Sequence, residues 1–235
     1  SGNTKATLFK LNCVGNKERM RYFLLAMLIV GFNIISKASN KIYFLHGYGG
    51  PGFEMNRILK AVEKSGFDCS LFKYRSLVKD IDLVGLDLIK QIQLDGADSI
   101  SFVTHSMGAL VVRSIYNYID SLDSFPIINR IVMIAPPNNG TQVADFYYKF
   151  SFLRHVLGPN LRNLTTDSIY GARRYPIPTC EVGLITGSFV GSKTLNLFLE
   201  EENDGLVVPA QAKLGIEKDT VLIRSWHFGI LFKKK

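Results

Sequence analysis

The sequence predicts an α/β protein: about six strands in a mostly parallel sheet, with helices on both faces. Three observations lead there. Apolar, β-rich runs alternate along the chain with segments whose apolar residues recur at helical spacing. Two of those runs end directly in small-residue turns, at His46-Gly47 and at Ser106-Met107-Gly108. No repeat of fixed period is visible, so the alternation describes one domain and not an array.

Lys41–His46 (KIYFLH) opens the sheet and runs into glycines. Over 53–64, Phe53, Met55, Ile58, Leu59 and Val62 fall on one helical face. The next strand is expected over Phe67–Tyr74, and a helix over Ile81–Leu94. Ser99–Thr104 is a strand, followed by a helix over Met107–Ile119 with Leu110, Val111, Ser114, Ile115 and Tyr118 in one stripe. Ile127–Ile134 is an apolar strand stopped by Pro136-Pro137. Glu181–Thr186 and Thr220–Arg224 complete the six. Right-handed crossovers between them make the sheet mostly parallel.

The alternation breaks between Ile134 and Cys180. A region of about 141–178 carries Phe146, Tyr147, Tyr148, Phe150, Phe152, Tyr170 and Tyr175. A connection that long usually serves function or carries its own helices. It is expected to form a small cap beside the active face, or alternatively an extra helix packed on the sheet edge.

Apolar residues make up 47% and charged residues 20%, an ordinary globular balance that excludes a disordered chain. Three cysteines cannot form a disulfide scaffold. The net charge of +8 is unevenly placed. Residues 1–38 hold six Lys or Arg against one acid, Glu18, and Lys233, Lys234 and Lys235 supply the remaining excess. The folded body is therefore near neutral, which argues against a nucleic-acid partner.

Residues 22–35 (YFLLAMLIVGFNII) are uncharged, preceded by Lys17, Arg19 and Arg21 and followed by Ser36-Lys37-Ala38. A basic flank, a short apolar stretch and a small-x-small site describe a secretory signal. The stretch is short for a bilayer span of about 20 residues. Residues 1–38 are thus expected to be an extension and signal peptide, with Met20 a plausible start and cleavage after Ala38, leaving 39–235 as a single domain exported to the periplasm or medium. The alternatives are an uncleaved membrane anchor over 22–35 and a buried core helix.

The chemistry-bearing residues cluster at strand ends. In Ser101-Phe-Val-Thr-His-Ser106-Met-Gly108 a strand runs into Ser106 and a helix follows at once. This is the strand–turn–helix setting of a nucleophile elbow, in which the hydroxyl projects above the sheet and bulk two residues either side is costly. Gly108 meets that need and Thr104 does so only in part. An ordinary junction with Ser106 as helix cap is the alternative. His46-Gly47-Tyr48-Gly49-Gly50 follows the first strand, at the sheet edge where α/β proteins bind ligands. It lacks the Lys-Ser/Thr pair or the glycine spacing of a phosphate loop. Gly47, Gly49 and Gly50 let the backbone turn sharply, and the amides of Tyr48 and Met107 are assigned to an oxyanion hole. One such donor is worth roughly 3–4 kcal/mol of barrier.

A serine hydroxyl needs a base, and the base an orienting partner. Of the four histidines, His105 adjoins Ser106 and is expected to point away from it, His46 orders the first loop, and His155 lies in the cap region. His227 follows the last strand, where the base must arrive. The acid is expected between Ser106 and His227 in chain order. Asn203-Asp204-Gly205 is the best candidate, a turn exposing the Asp204 carboxylate, ahead of Asp145, Asp167 and Asp219. Glu200, Glu201 and Glu202 read as a solvated acidic surface. The histidines do not share ligand spacing with cysteines or carboxylates, so no metal site is expected, and no dinucleotide fingerprint calls for a cofactor.

The HG-x-GG loop, the T-H-S-M-G elbow, the D-G-x-V-P turn, the late histidine and Ala135-Pro136-Pro137-Asn138-Asn139-Gly140 resemble the α/β-hydrolase superfamily, especially its small secreted bacterial lipases and esterases. The resemblance spans about Lys41 to Ile230. It implies that strand 41–46 lies between 67–74 and 99–104, followed by 127–134, 181–186 and 220–224. It implies Ser106, Asp204 and His227 as a triad, with Tyr48 and Met107 as oxyanion donors. Thr104 replaces the usual first glycine of the elbow, and Ala109 stands where many lipases have another. That strand order separates Cys69 from Cys180, so two buried thiols are expected instead of a disulfide. The implied function is serine carboxylic-ester hydrolysis on a small-molecule or lipid ester, with membrane-surface contact as a further partner. The alternatives are an acyltransferase or amidase using the same residues, and a non-catalytic binding module of the envelope. Thr104 and a chain that runs only eight residues past His227 favour the last.

Overall fold

A computed structural model describes residues 40–189 and 201–233, of which Asn40–Phe232 belong to one compact unit, Ile35–Phe232. The expected N-terminal extension, the apolar stretch 22–35 and the cut after Ala38 lie outside the described residues, as does Glu200.

Six strands form one sheet: β1 (Asn40–Leu45), β2 (Asp68–Phe72), β3 (Ser99–His105), β4 (Ile127–Ile134), β5 (Glu181–Ser188) and β6 (Glu217–Arg224). Their order is β2-β1-β3-β4-β5-β6 and every pairing is parallel. The order is the one that the resemblance implied, and the sheet is parallel throughout. Seven helices accompany it among the described residues: α1 (Asn56–Glu63), α2 (Ile81–Asp95), α3 (Gly108–Ile115), α4 (Gln142–Tyr148), α5 (Ser151–Leu157), α6 (Asn160–Asn163) and α7 (Pro209–Ala212).

The chain steps from β1 to β2 in one direction and from β2 through β3 to β4 in the other. Right-handed crossovers therefore put α1 on one face and α2 and α3 on the other. α2 and α3 pack closely there. A Cβ on Gly85 of α2 would stand 2.3 Å from Ser114 Oγ of α3, so any side chain there would force that hydroxyl aside. Tyr43, Leu45, Phe102, Ile131, Met133 and Leu184 from the sheet bury against Leu88, Ile92, Leu110 and Val111 of these helices.

Several expectations change in detail. Phe53 is not on the buried face: Gly52 at φ 93° turns the chain into a 3-10 turn over Phe53–Met55, which leaves Phe53 67% exposed, and α1 starts only at Asn56. The helix after the elbow stops at Ile115, because the amides of Tyr116, Asn117 and Tyr118 turn to carbonyls three residues back. It also buries every one of its residues, not a stripe. β2 is shorter than 67–74, and β6 begins at Glu217 rather than Thr220. β6 is an edge strand whose exposed Lys218, Asp219 and Arg224 discourage further pairing. Cys69 and Cys180 are free thiols, but half-buried.

The region 141–178 folds as α4, α5, α6 and a 3-10 turn over Ala172–Arg174. Its aromatic residues divide: Tyr175 is in the core, whereas Tyr147, Phe150, Phe152 and Tyr170 are exposed. α6 ties the region down through Asn160, whose side chain accepts from the Ile81 amide and donates to the carbonyls of Ser76 and Lys79. α5 buries none of its residues. Among the described residues no helix is long and apolar enough to cross a membrane.

Candidate active site

The register aligns the C-terminal ends of β1, β3, β4 and β5, where Leu45 faces Thr104, His105 faces Ile134, and Ile134 faces Ile185. The loops leaving this edge carry His46–Gly50, Ser106 and His227, with Asp204 in the connection between β5 and β6.

Ser106 stands in the turn between β3 and α3 at φ 50°, a left-handed conformation that a residue with a side chain adopts at a cost. Its amide donates to the Ile134 carbonyl of the neighbouring strand end (2.8 Å), which holds the turn in place. The close approaches around it are specific. A Cβ on Gly108 would lie 2.8 Å from the His46 carbonyl and 2.9 Å from that of Leu45. A Cβ on Gly47 would lie 2.9 Å from both Ser106 Cβ and His105 Nδ1. Thr104 is accommodated on the other side: it is fully buried, and its hydroxyl donates to the Val132 carbonyl (3.3 Å). Gly108→Ala is therefore expected to destabilise the fold by about 1–3 kcal/mol, the usual cost of overpacking. A denaturation midpoint equal to that of the wild type would contradict this contact.

His227 Nε2 lies 2.9 Å from Ser106 Oγ, and His227 Nδ1 lies 2.8 Å from Asp204 Oδ2. His227 and Asp204 are both 2% exposed. The Asp204 carboxylate is buried rather than exposed, because each oxygen is satisfied inside the fold. Oδ1 accepts from the amides of Leu206 (3.0 Å) and Val207 (2.8 Å), and Oδ2 faces the imidazole. The Asx turn that presents it is closed by Asn203 Oδ1, which accepts from the Gly205 amide (2.7 Å). The backbone joins the two residues again: the His227 amide donates to the Asp204 carbonyl (2.7 Å). With Asp204 Oδ2 accepting a hydrogen bond from Nδ1–H, Nε2 is the ring nitrogen that faces the hydroxyl.

His46 Nδ1 donates to the Gly47 carbonyl (2.9 Å), and its Nε2 accepts from the Tyr74 amide (3.3 Å). Its ring stacks on that of Tyr74 with centroids 4.0 Å apart. Gly49, at φ 69°, donates its amide to Ser76 Oγ (2.9 Å). The amides of Tyr48 and Met107 find no backbone acceptor among the described residues. The Tyr48 hydroxyl donates to the Leu157 carbonyl at the end of α5, and burial pushes its pKa up to about 12. The loop after β1 is thus tied to region 141–178 at both Tyr48 and, through Ser76, Asn160.

Three supporting residues escaped the sequence. Gly187 lies one residue beyond the expected end of β5. A Cβ there would meet Asp204 Cβ at 2.7 Å, so glycine makes room for the acid. A strand-terminal glycine facing an Asp-Gly turn is the only signal for it. Tyr74 and His105 carry no sequence signal. His105 is fully buried, with Nε2 donating to the His227 carbonyl (3.3 Å). The competing acids serve elsewhere: Asp145 accepts from the amide and hydroxyl of Thr166, Asp167 caps the turn at Ile169 and Tyr170, and Asp219 is exposed on β6. His155 is exposed on α5, and Glu201 and Glu202 are exposed. Among the described residues no group of three or more His, Cys, Asp or Glu gathers to hold a metal ion.

Burial, then the neighbouring His227 and His46, lower the pKa of His105 to about 3. An unfolded histidine takes its proton near pH 6.5, so between these values the unfolded chain binds a proton that the native one refuses. Native stability is therefore expected to fall as pH drops from about 6.5 toward 3. Thermal melts across that range check this; a His105→Gln variant should show a shallower fall.

The structure aligns with solved lipases and esterases. The mature Bacillus licheniformis lipase BlEst2 matches at 21% identity and a TM-score of 0.62, over 85% of this chain and 89% of that one. A metagenomic carboxyl esterase matches at 18% identity and 0.59, over 82% of this chain and 66% of the other, just under two thirds. The Staphylococcus hyicus lipase matches at 13% identity and 0.53, over 84% and 90%. The chain has the α/β-hydrolase fold. Sequence comparison adds nothing to this: no protein-family model matches, and no curated protein does. Within the α/β-hydrolase fold, the strand-end serine, the turn after β5 and the histidine after β6 fall at the sheet edge where ligands bind.

Proposed function

We propose that the protein is a serine hydrolase of carboxylic esters, with Ser106 as nucleophile, His227 as base and Asp204 as the group that orients it. The observation that carries this reading is the unbroken chain Ser106 Oγ–His227 Nε2, His227 Nδ1–Asp204 Oδ2, at 2.9 and 2.8 Å, inside a buried site. The three partners lie far apart in sequence, and a chance junction serine would need none of them.

In the reading, Ser106 Oγ attacks the ester carbonyl as its proton passes to His227 Nε2. The carbonyl oxygen gains the negative charge, and the amides of Tyr48 and Met107, beside the N-terminus of α3, stabilise it. The intermediate collapses, the alcohol leaves with the proton from His227, and an acyl group remains on Ser106. A water then attacks, giving its proton to His227, and the acid departs as Ser106 recovers its proton. Asp204 keeps the imidazole in the tautomer this requires and stabilises it when charged. Thr104, one of the two features favouring a non-catalytic binding module, supports that alternative less now, because its side chain fits the strand end and is hydrogen-bonded.

The aromatic side chains exposed over 141–178 support an acyl or otherwise apolar substrate. Release of nitrophenol from p-nitrophenyl esters of graded acyl length tests the function. Saturable turnover is expected on at least part of the series. A folded protein that releases nitrophenol no faster than buffer on every ester contradicts it.

A further inference from the structure

We propose that His105 is a positioning residue for His227, holding the backbone of the base from the same turn that carries the nucleophile. This rests on the hydrolase reading above. Adjacent residues grip His227 at two ends. Ser106 Oγ meets the imidazole at Nε2 (2.9 Å), and His105 Nε2 donates to the His227 carbonyl (3.3 Å). The rings of His105 and His227 lie with centroids 5.0 Å apart, and Phe228 packs edge-on to His227 and tilted against His105. The segment after β6 thereby moves with the elbow and not with β6 alone.

The role needs one tautomer of His105, and the surroundings select it. Its Nδ1 is buried, finds no partner among the described residues, and faces Gly47 so closely that a Cβ there would stand 2.9 Å away. A proton on Nδ1 would be stranded, whereas a proton on Nε2 is used. Burial, and then the neighbouring histidines His227 and His46, oppose a second proton on the ring. His105 therefore stays a neutral donor across the working range and does not itself transfer protons.

The backbone of His227 is held also through its amide on the Asp204 carbonyl (2.7 Å), and its ring through Nδ1 on Asp204 Oδ2 (2.8 Å). Without the His105 contact the carbonyl end of the residue loses its donor and is free to rotate. Displacements on the ångström scale at a reacting group cost on the order of 10²-fold in rate.

His105→Leu keeps a buried side chain and removes the donor. His105→Gln places an amide N–H near the position of the lost ring Nε2. The leucine variant is expected to lose kcat by roughly 10- to 100-fold with KM within about 2-fold, and the glutamine variant to recover to within about 3-fold of the wild type. Unchanged kcat in the leucine variant overturns the proposal. Equal loss in both variants also overturns it, since packing and not the donor would then be the cause. Where the leucine variant does not fold, His105→Asn, whose shorter amide falls short of the His227 carbonyl, is read in its place. A second readout does not depend on turnover: the low-field proton NMR resonance of the His227–Asp204 hydrogen bond. It is expected in the wild type and the glutamine variant, and shifted or broadened in the leucine variant. If the wild type hydrolyses no ester the hydrolase reading fails, and this resonance still decides the positioning claim: an identical signal in all three proteins refutes it.

Discussion

Replacing Ser106 by alanine is expected to lower kcat/KM for a nitrophenyl ester by about 10⁵-fold, because no other group at the site can carry the acyl chain. What survives is the background that the Tyr48 and Met107 amides and substrate binding supply to a direct attack by water. The fold should be untouched by this change. The residue sits at φ 50°, and alanine keeps the Cβ that makes this conformation costly. Ser106→Gly separates the two effects. It relieves the backbone, so stability should rise by up to about 1 kcal/mol, while activity is lost as in the alanine variant. A nucleophile in a strained turn thus predicts an inactive variant that is more stable than the wild type. Retention of more than a tenth of the activity in either variant would move the nucleophile elsewhere.

The largest stability effect is expected at Arg113, on the buried helix α3. It is 2% exposed, and burial lowers its pKa to about 10, so it remains charged near neutrality. Among the described residues no carboxylate pairs with it. Its guanidinium donates to the carbonyls of Asn138 (2.7 Å), Tyr175 and Pro176 (3.0 Å) and to the side chain of Asn138 (3.2 Å). Asn138 precedes α4, and Tyr175 and Pro176 precede β5. One side chain thus fastens both ends of the 141–178 region to α3. Arg113→Leu fills most of the volume but strands three carbonyls, two of them buried, and roughly 3–5 kcal/mol of stability should be lost. Arg113→Lys should recover only part of it, because one ammonium cannot span a set that a planar fork reaches. Urea denaturation of the three proteins measures this; a leucine variant within about 1 kcal/mol of the wild type would show that the carbonyls find other donors.

The strands were the most legible part of the sequence. Val, Ile and Phe runs ending in Gly, Ser or Pro define β1, β3 and β4 to within a residue, since strands of a buried parallel sheet are apolar on both faces. The helices were less so. α3 is buried all round, so its apolar residues have no single face to reveal its length, and the 3-10 turn over Phe53–Met55 breaks a pattern that looked continuous. At the site, Ser106, Asp204 and His227 are legible from glycine spacing, from an Asp-Gly turn and from chain order. What surrounds them is not. Gly187, Tyr74, His105 and Arg113 act through contacts between segments 17 to 122 residues apart, for which a single sequence has no local sign. The burial of Asp204 belongs to the same class. A turn of Asn-Asp-Gly composition looks solvent-exposed until β5, Leu206, Val207 and His227 close around it.

Labelling with an alkyl fluorophosphonate tests the central claim most directly. The account predicts a single adduct per folded chain, mapped by mass spectrometry to the peptide carrying Ser106 and lost in Ser106→Ala. A folded wild-type chain that takes no adduct, or an alanine variant that is labelled as fast as the wild type, would contradict it.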